Sequence, residues 1–193
     1  MKDYRKRIRQ YVEWEREVLA AMPVEDVNEV LNVLEEARFA RRRIFICGNG
    51  GSASTAAHFE CDFNKGVSYD QEVKYDFECL SDNVPMMMAI ANDISYEDIF
   101  VVPLKNKLKK GDVVIGISGS GNSENVVRAL TYANEMGATT IAITGYDGGK
   151  MHKLAKHGIH IAVDNMQIAE DMHLVLDHLM MTVLSADNEG MQS

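Results

Sequence analysis

The sequence predicts an α/β protein: a three-layer sandwich with a five-stranded parallel sheet, flavodoxin-like in outline, entered through two leading helices. Three observations carry this. Five short apolar runs alternate with stretches at helical spacing, the pattern of a parallel sheet covered on both faces. Two amphipathic segments precede the first of those runs. The chain has 193 residues and is 46% hydrophobic, enough for one domain with a well-buried core and too short for two large ones.

The first helix is expected over 3–21, with Tyr4, Ile8 and Tyr11 in helical register, and the second over 25–41, with Val27, Val30, Leu31 and Leu34. "MPVED" breaks them apart. Together, 1–41 form a helical extension of a single domain spanning 1–193. The strands are expected at "RIFIC" (43–47), "YDFECL" (75–80), "VVIGIS" (113–118), "TIAIT" (140–144) and "IHIAV" (159–163). No internal repeat or low-complexity linker interrupts them.

A net charge of −9 argues against a nucleic-acid or anionic-membrane surface, which needs Lys and Arg to neutralise phosphates. No run approaches the ~20 apolar residues of a membrane span, and the basic N-terminus "MKDYRKRIRQYVEWE" has no apolar region after it, so a cytoplasmic protein is expected. Cys47, Cys61 and Cys79 are widely spaced and read as reduced thiols, and the 12 Met as core filler.

Ligands of such sheets sit outside the carboxyl ends of the strands, so the segments after the strands are the candidate binding elements. Gly48-Asn49-Gly50-Gly51-Ser52 follows the first strand and Ser118-Gly119-Ser120-Gly121-Asn122-Ser123 the third, each feeding a helix. Glycine lets backbone approach a ligand, and free amides and hydroxyls donate to an anion. One such loop is ordinary turn chemistry, with Ser123 a plain helix cap. Two after strands of one sheet point to a phosphorylated small molecule. Gly48 to Ala53 also matches the dinucleotide pattern G-x-G-x-x-A, but Glu78 and Asp82 are poor candidates for the ribose-binding acid and the serine-rich second loop is left unexplained.

His58 and Asp62 stand four apart on the helix after the first loop and share a face, with Glu60 pointing elsewhere. The last helix carries Glu170, His173 and His178 among apolar residues, His173 reading as a core histidine; Glu170 and His178 are about two turns apart with an ~80° offset. Were the two helices to meet, two imidazoles and two carboxylates would suit zinc or a similar divalent ion.

"GNGGSASTAAHFECDF", the "AND" at 91–93, "SGSGNSENVVRAL" and "EDMHLVLDHLM" together resemble the sugar isomerase (SIS) domain family, and within it the sedoheptulose 7-phosphate isomerases. The resemblance implies a homotetramer with active sites between subunits. It further implies isomerisation of sedoheptulose 7-phosphate to D-glycero-D-manno-heptose 7-phosphate through an enediol, the first step towards nucleotide-activated heptose. On it, Asn49, Gly50, Gly51 and Ser52 contact substrate, Asn92 and Asp93 bind its hydroxyls, and Ser118, Gly119, Ser120 and Ser123 hold its phosphate. His58, Asp62, Glu170 and His178 would bind zinc, with Asp62 as base, His178 as its acid/base partner and Glu170 as ligand or alternative base. Three positions depart from the family pattern: Asp62 stands where Glu is usual, Glu170 where Gln is usual, and Gly119 where Thr is usual. Two rivals are a non-catalytic SIS module, which tends to lack the histidine and acid set, and a nucleotide-dependent oxidoreductase.

Overall fold

A computed structural model of the chain describes residues 2–190, so both ends of the expected 1–193 domain lie outside the described residues. Two helices lead, α1 (Arg5–Ala20) and α2 (Val24–Phe39). Then come β1 (Ile44–Cys47), α3 (Gly51–Cys61), β2 (Phe77–Cys79), α4 (Val84–Asp93), α5 (Val101–Lys107) and β3 (Val113–Ser118). The chain closes with α6 (Glu124–Glu135), β4 (Thr139–Thr144), α7 (Gly149–Leu154), β5 (His157–His160) and α8 (Met166–Gly190). The five strands form one parallel sheet, as the alternating pattern predicts, and their order is β2-β1-β3-β4-β5.

Alternation along each strand divides the core. Ile44, Ile46, Val113, Ile115, Ile117, Ile141 and Ile143 pack with α2, α3 and α8 on one face. Phe45, Cys47, Val114 and Ala142 pack with α4 to α7 on the other. Gly116 admits α6 to close range, since a Cβ there would stand 2.6 Å from Val126 Cγ1. Strands buried on both faces read as unbroken apolar runs, which is why they were legible.

Two strand boundaries need correction. β2 is three residues rather than six: Tyr75 and Leu80 are buried, but they flank an edge strand whose register with β1 covers Phe77 to Cys79. β5 begins at His157, opposite Ile141, rather than at Ile159. Beyond His160, Ile161 N–H still reaches the Thr144 carbonyl, but Val163 N–H then bonds back to Ile161, which turns the chain away. Ile161 and Val163 are buried nonetheless, so the apolar run reported burial, not ladder pairing.

β1 and β3 are adjacent, and the strand order reverses between them, with β2 on one side and β4 on the other. The crevice above such a switch point is where open α/β sheets bind ligands. Both glycine-rich loops rise from it.

Candidate active site

The first loop is held from below. Gly48 N–H donates to Ser81 Oγ (3.3 Å), which donates to the Gly48 carbonyl (3.0 Å). Gly50 adopts φ +54°, a left-handed conformation that glycine enters without Cβ strain, and it starts α3. Asn49 is pinned from the side: its Nδ2 donates to Asn125 Oδ1 (2.9 Å), and Asn125 Nδ2 donates back to Asn49 Oδ1 (2.8 Å). The Tyr96 hydroxyl donates to the same Asn49 oxygen (2.9 Å). Because Asn125 is buried in the first turn of α6, this amide pair locks the two loops together. A cavity of about 210 Å³ opens beside the pair, lined by Asn49, Gly50, Ser81, Met87, Tyr96 and Phe100 among others.

In the second loop, Ser118 Oγ and Ser123 Oγ lie 3.0 Å apart. Ser123 occupies the N-cap position of α6 yet makes no side-chain cap bond, so its hydroxyl faces Ser118 instead. Ser120 Oγ accepts from Asn122 N–H (3.2 Å). Gly145 N–H donates to the Gly119 carbonyl and Met151 N–H to the Gly121 carbonyl, fastening the loop to the segment after β4. At Gly119 the space a side chain would take is filled by Met166, whose Sδ would be 2.4 Å from an added Cβ. Gly121 has φ +64°, and its Cβ would stand 2.1 Å from the Gly148 carbonyl oxygen. Gly121→Ala should therefore cost about 1–3 kcal/mol of stability through strain and overpacking. Urea unfolding measures it, and a variant as stable as wild type would show that the second loop is not packed against the segment after β4 as described.

Asn92 and Asp93 end α4, exposed, with Asn92 Nδ2 donating to Asp93 Oδ1 (2.7 Å). They are not among the residues lining the cavity at the first loop.

The imidazole and acid groups sit where α3 meets α8. Ser52, Thr55, Ala56 and Phe59 turn α3 inward, leaving His58 on the flank towards α8. At Asp62 the helix widens into a π-helical segment, Asp62–Val67, a distortion frequent at functional sites. His58 Nε2 and His178 Nε2 face each other at 3.2 Å, and Asp62 Oδ2 lies 3.5 Å from the first and 3.9 Å from the second. The helices therefore meet, and they bring His58, Asp62 and His178 together. The fourth member is Asp177, which the sequence reading did not single out: its Oδ2 is 4.0 Å from His58 Nε2, and the four groups each offer a ligand atom within 4.8 Å of the others. Asp177 is fully buried and neither of its oxygens has a hydrogen-bond partner. Burial, with Asp62 beside it, pushes its carboxyl up to about 7. The only available signal was an acid in "LVLDHLM", adjacent to a histidine in an apolar stripe.

Glu170 stands apart from this group. Its carboxylate packs on Gly51 at the start of α3, where an added Cβ would be 2.5 Å from Oε2. It thus borders the first loop, whereas His178 joins the His58 cluster. His173 is a core residue: it is buried, and burial pushes its imidazole down to about 4.

The donor set fits a divalent ion. In a tetrahedral site with metal–nitrogen bonds of about 2.0–2.1 Å, two nitrogen ligands stand roughly 3.3 Å apart, close to the separation of the two imidazoles. Unpartnered buried carboxylate oxygens beside them are what such an ion would satisfy.

The SIS domain family matches residues 4–145. A phosphoheptose isomerase of Helicobacter pylori is 35% identical over 164 residues, covering 85% of this chain and 83% of that one. Another, of Aliarcobacter butzleri, is 35% identical over 147 residues, 76% of each chain. The solved structure of phosphoheptose isomerase GmhA from Neisseria gonorrhoeae matches with a TM-score of 0.88 and 25% identity, over 95% of this chain and 100% of that one.

Proposed function

The chain belongs to the SIS domain family, among its phosphoheptose isomerases, and from that premise we propose that it interconverts sedoheptulose 7-phosphate and D-glycero-D-manno-heptose 7-phosphate. The observation that carries the reading is the pairing of two anion-suited loops at the sheet's switch point with an imidazole and carboxylate cluster formed where the helix that follows the first of them meets α8. A purely sugar-binding SIS module needs the loops and has no use for the cluster.

Phosphate held by Ser118, Ser120 and Ser123 anchors the far end of the substrate, so binding energy remote from the reaction orients C1 and C2. Asn49, fixed by Asn125 and Tyr96, offers its remaining amide hydrogen to a sugar hydroxyl. The Asp62 carboxylate takes the proton from C1 of the ketose and returns it to C2, passing through the enediol. The oxygens need a group that both gives and takes a proton, and the imidazole of His178, with its side chain 55% exposed, is suited to serve O2 and O1. Nε2 cannot carry a proton and hold an ion at once, so this role belongs to the ion-free ring. A divalent ion such as zinc, held between His58 and His178, would instead supply polarisation of the carbonyl. Purified protein incubated with a panel of ketose phosphates and followed by NMR tests the reading: it requires aldose formation from the heptulose phosphate, and its absence would refute it.

We also propose a homotetramer using α1. Tyr4, Ile8, Val12 and Leu19 lie along one flank of α1, between 47% and 61% exposed, and no residue of α1 is buried. The helix is tied to α8 by the Tyr11 hydroxyl, which donates to Asp171. An apolar flank of this size is suited to cover by further copies of the chain. Sedimentation velocity at micromolar concentration should give a tetramer that Ile8→Glu with Val12→Glu dissociates. A monomeric wild type would refute it.

A further inference from the structure

We propose that Asp177 is a ligand of the divalent ion, the buried carboxylate that anchors it together with His58 and His178, leaving Asp62 free to work at the substrate carbon. The assignment depends on the isomerase reading only for what Asp62 does.

Ile168, Met172, Leu176, Met180 and Leu184 form the buried stripe of α8, and Asp177 stands beside it with no exposed surface. A carboxylate there loses its hydration, and a buried polar group without a partner is destabilising unless something else satisfies it. Nothing in the protein does: both oxygens lack a hydrogen-bond partner. Among the described residues, the groups of opposite potential charge within salt-bridge range of Asp62 or Asp177 are the imidazoles of His58 and His178, with no Lys or Arg. Two carboxylates within 4.8 Å of each other, one of them sealed from water, are mutually repulsive without a cation between them. The two imidazole nitrogens face each other 3.2 Å apart, and one of them, His58 Nε2, lies 4.0 Å from Asp177 Oδ2.

The two acids differ in access. Asp177 is closed to solvent, whereas the Asp62 side chain is 16% exposed and starts the π-helical segment at the open rim beside His58. A catalytic site that keeps three protein ligands and an open position needs a fixed acid for the ion and a reachable one for the reaction. Asp177 suits the first task and Asp62 the second. Glu170, against Gly51, is left outside the ligand set.

The test is zinc binding by the full chain, read by stoichiometry after dialysis, by competition with a chromogenic chelator, and by the rise in melting temperature on adding zinc. Wild type should bind about one zinc per chain and melt higher with it. Asp177→Asn should bind zinc at least about tenfold more weakly and lose that rise. Asp177→Leu, which matches the apolar stripe and avoids an unpartnered amide, should behave likewise while keeping its helical circular dichroism. Asp62→Asn should retain both the stoichiometry and the rise. If both Asp177 variants bind zinc as wild type does, or wild type binds none, the assignment falls. If Asp62→Asn loses zinc as completely as Asp177→Asn, the division between the two acids falls. Zinc binding that depends on Asp177 in a protein inactive on heptulose phosphate would keep the site and remove the isomerase reading; an active isomerase whose zinc ignores Asp177 would do the reverse.

Discussion

Asp62→Asn should lower kcat/KM for sedoheptulose 7-phosphate by about 10²–10⁴-fold, the usual contribution of a positioned general base, while Glu170→Gln should stay within about tenfold of wild type. An amide accepts no proton from carbon at neutral pH, so the asparagine variant keeps the shape of Asp62 and loses its chemistry. Glu170 stands where the family usually carries Gln, and its carboxylate lies against Gly51, outside the group formed by His58, Asp62, Asp177 and His178. Removing its charge leaves that cluster intact. The opposite outcome, an inactive Glu170→Gln beside an active Asp62→Asn, would move the base to α8 and next to the first loop, where Glu170 borders the start of α3. An active protein indifferent to both changes would make the cluster structural and the mechanism wrong.

Ser120→Asp should abolish phosphosugar binding, weakening it by at least about 10²-fold, because a like charge set against the phosphate costs several kcal/mol. The fold should survive. Ser120 Oγ accepts from Asn122 N–H within its own turn, and an aspartate oxygen can accept the same bond. Calorimetric titration with a heptose phosphate or a non-reacting phosphosugar, alongside a thermal melt of the free protein, separates the two effects. Unchanged affinity in a folded variant would remove the second loop from the phosphate site. Loss of binding without loss of melting temperature would tie Ser120, and with it the second loop, to the anion.

The strands, their alternation with helices and the parallel sheet were legible because burial on both faces writes itself as continuous apolar runs such as "VVIGIS" and "TIAIT". The two loops were legible for a similar reason: glycines and hydroxyls clustered immediately after a strand are a local signal, complete within six residues. Strand ends were not, since Ile161 and Val163 are as buried as ladder residues but lie past the point where the backbone turns away from β4.

From the sequence alone came the fold class, the two loops, and His58 with Asp62 as a pair on one helix face, because each rests on spacing within a single element. The tertiary structure decided what depends on two elements meeting. It put β1 beside β3, so that Asn49 and Asn125 join the loops across 76 positions of chain. It set α3 against α8 so that His178 faces His58, left Glu170 at Gly51, and turned Asp177 inward among apolar neighbours. An α-helix advances about 100° per residue, so Glu170, Asp177 and His178 leave α8 in directions that spacing can specify only relative to one another. Which of them reaches the partner helix is fixed by how far the two helices are rotated and slid together, and packing of the apolar stripe against the sheet sets that rotation.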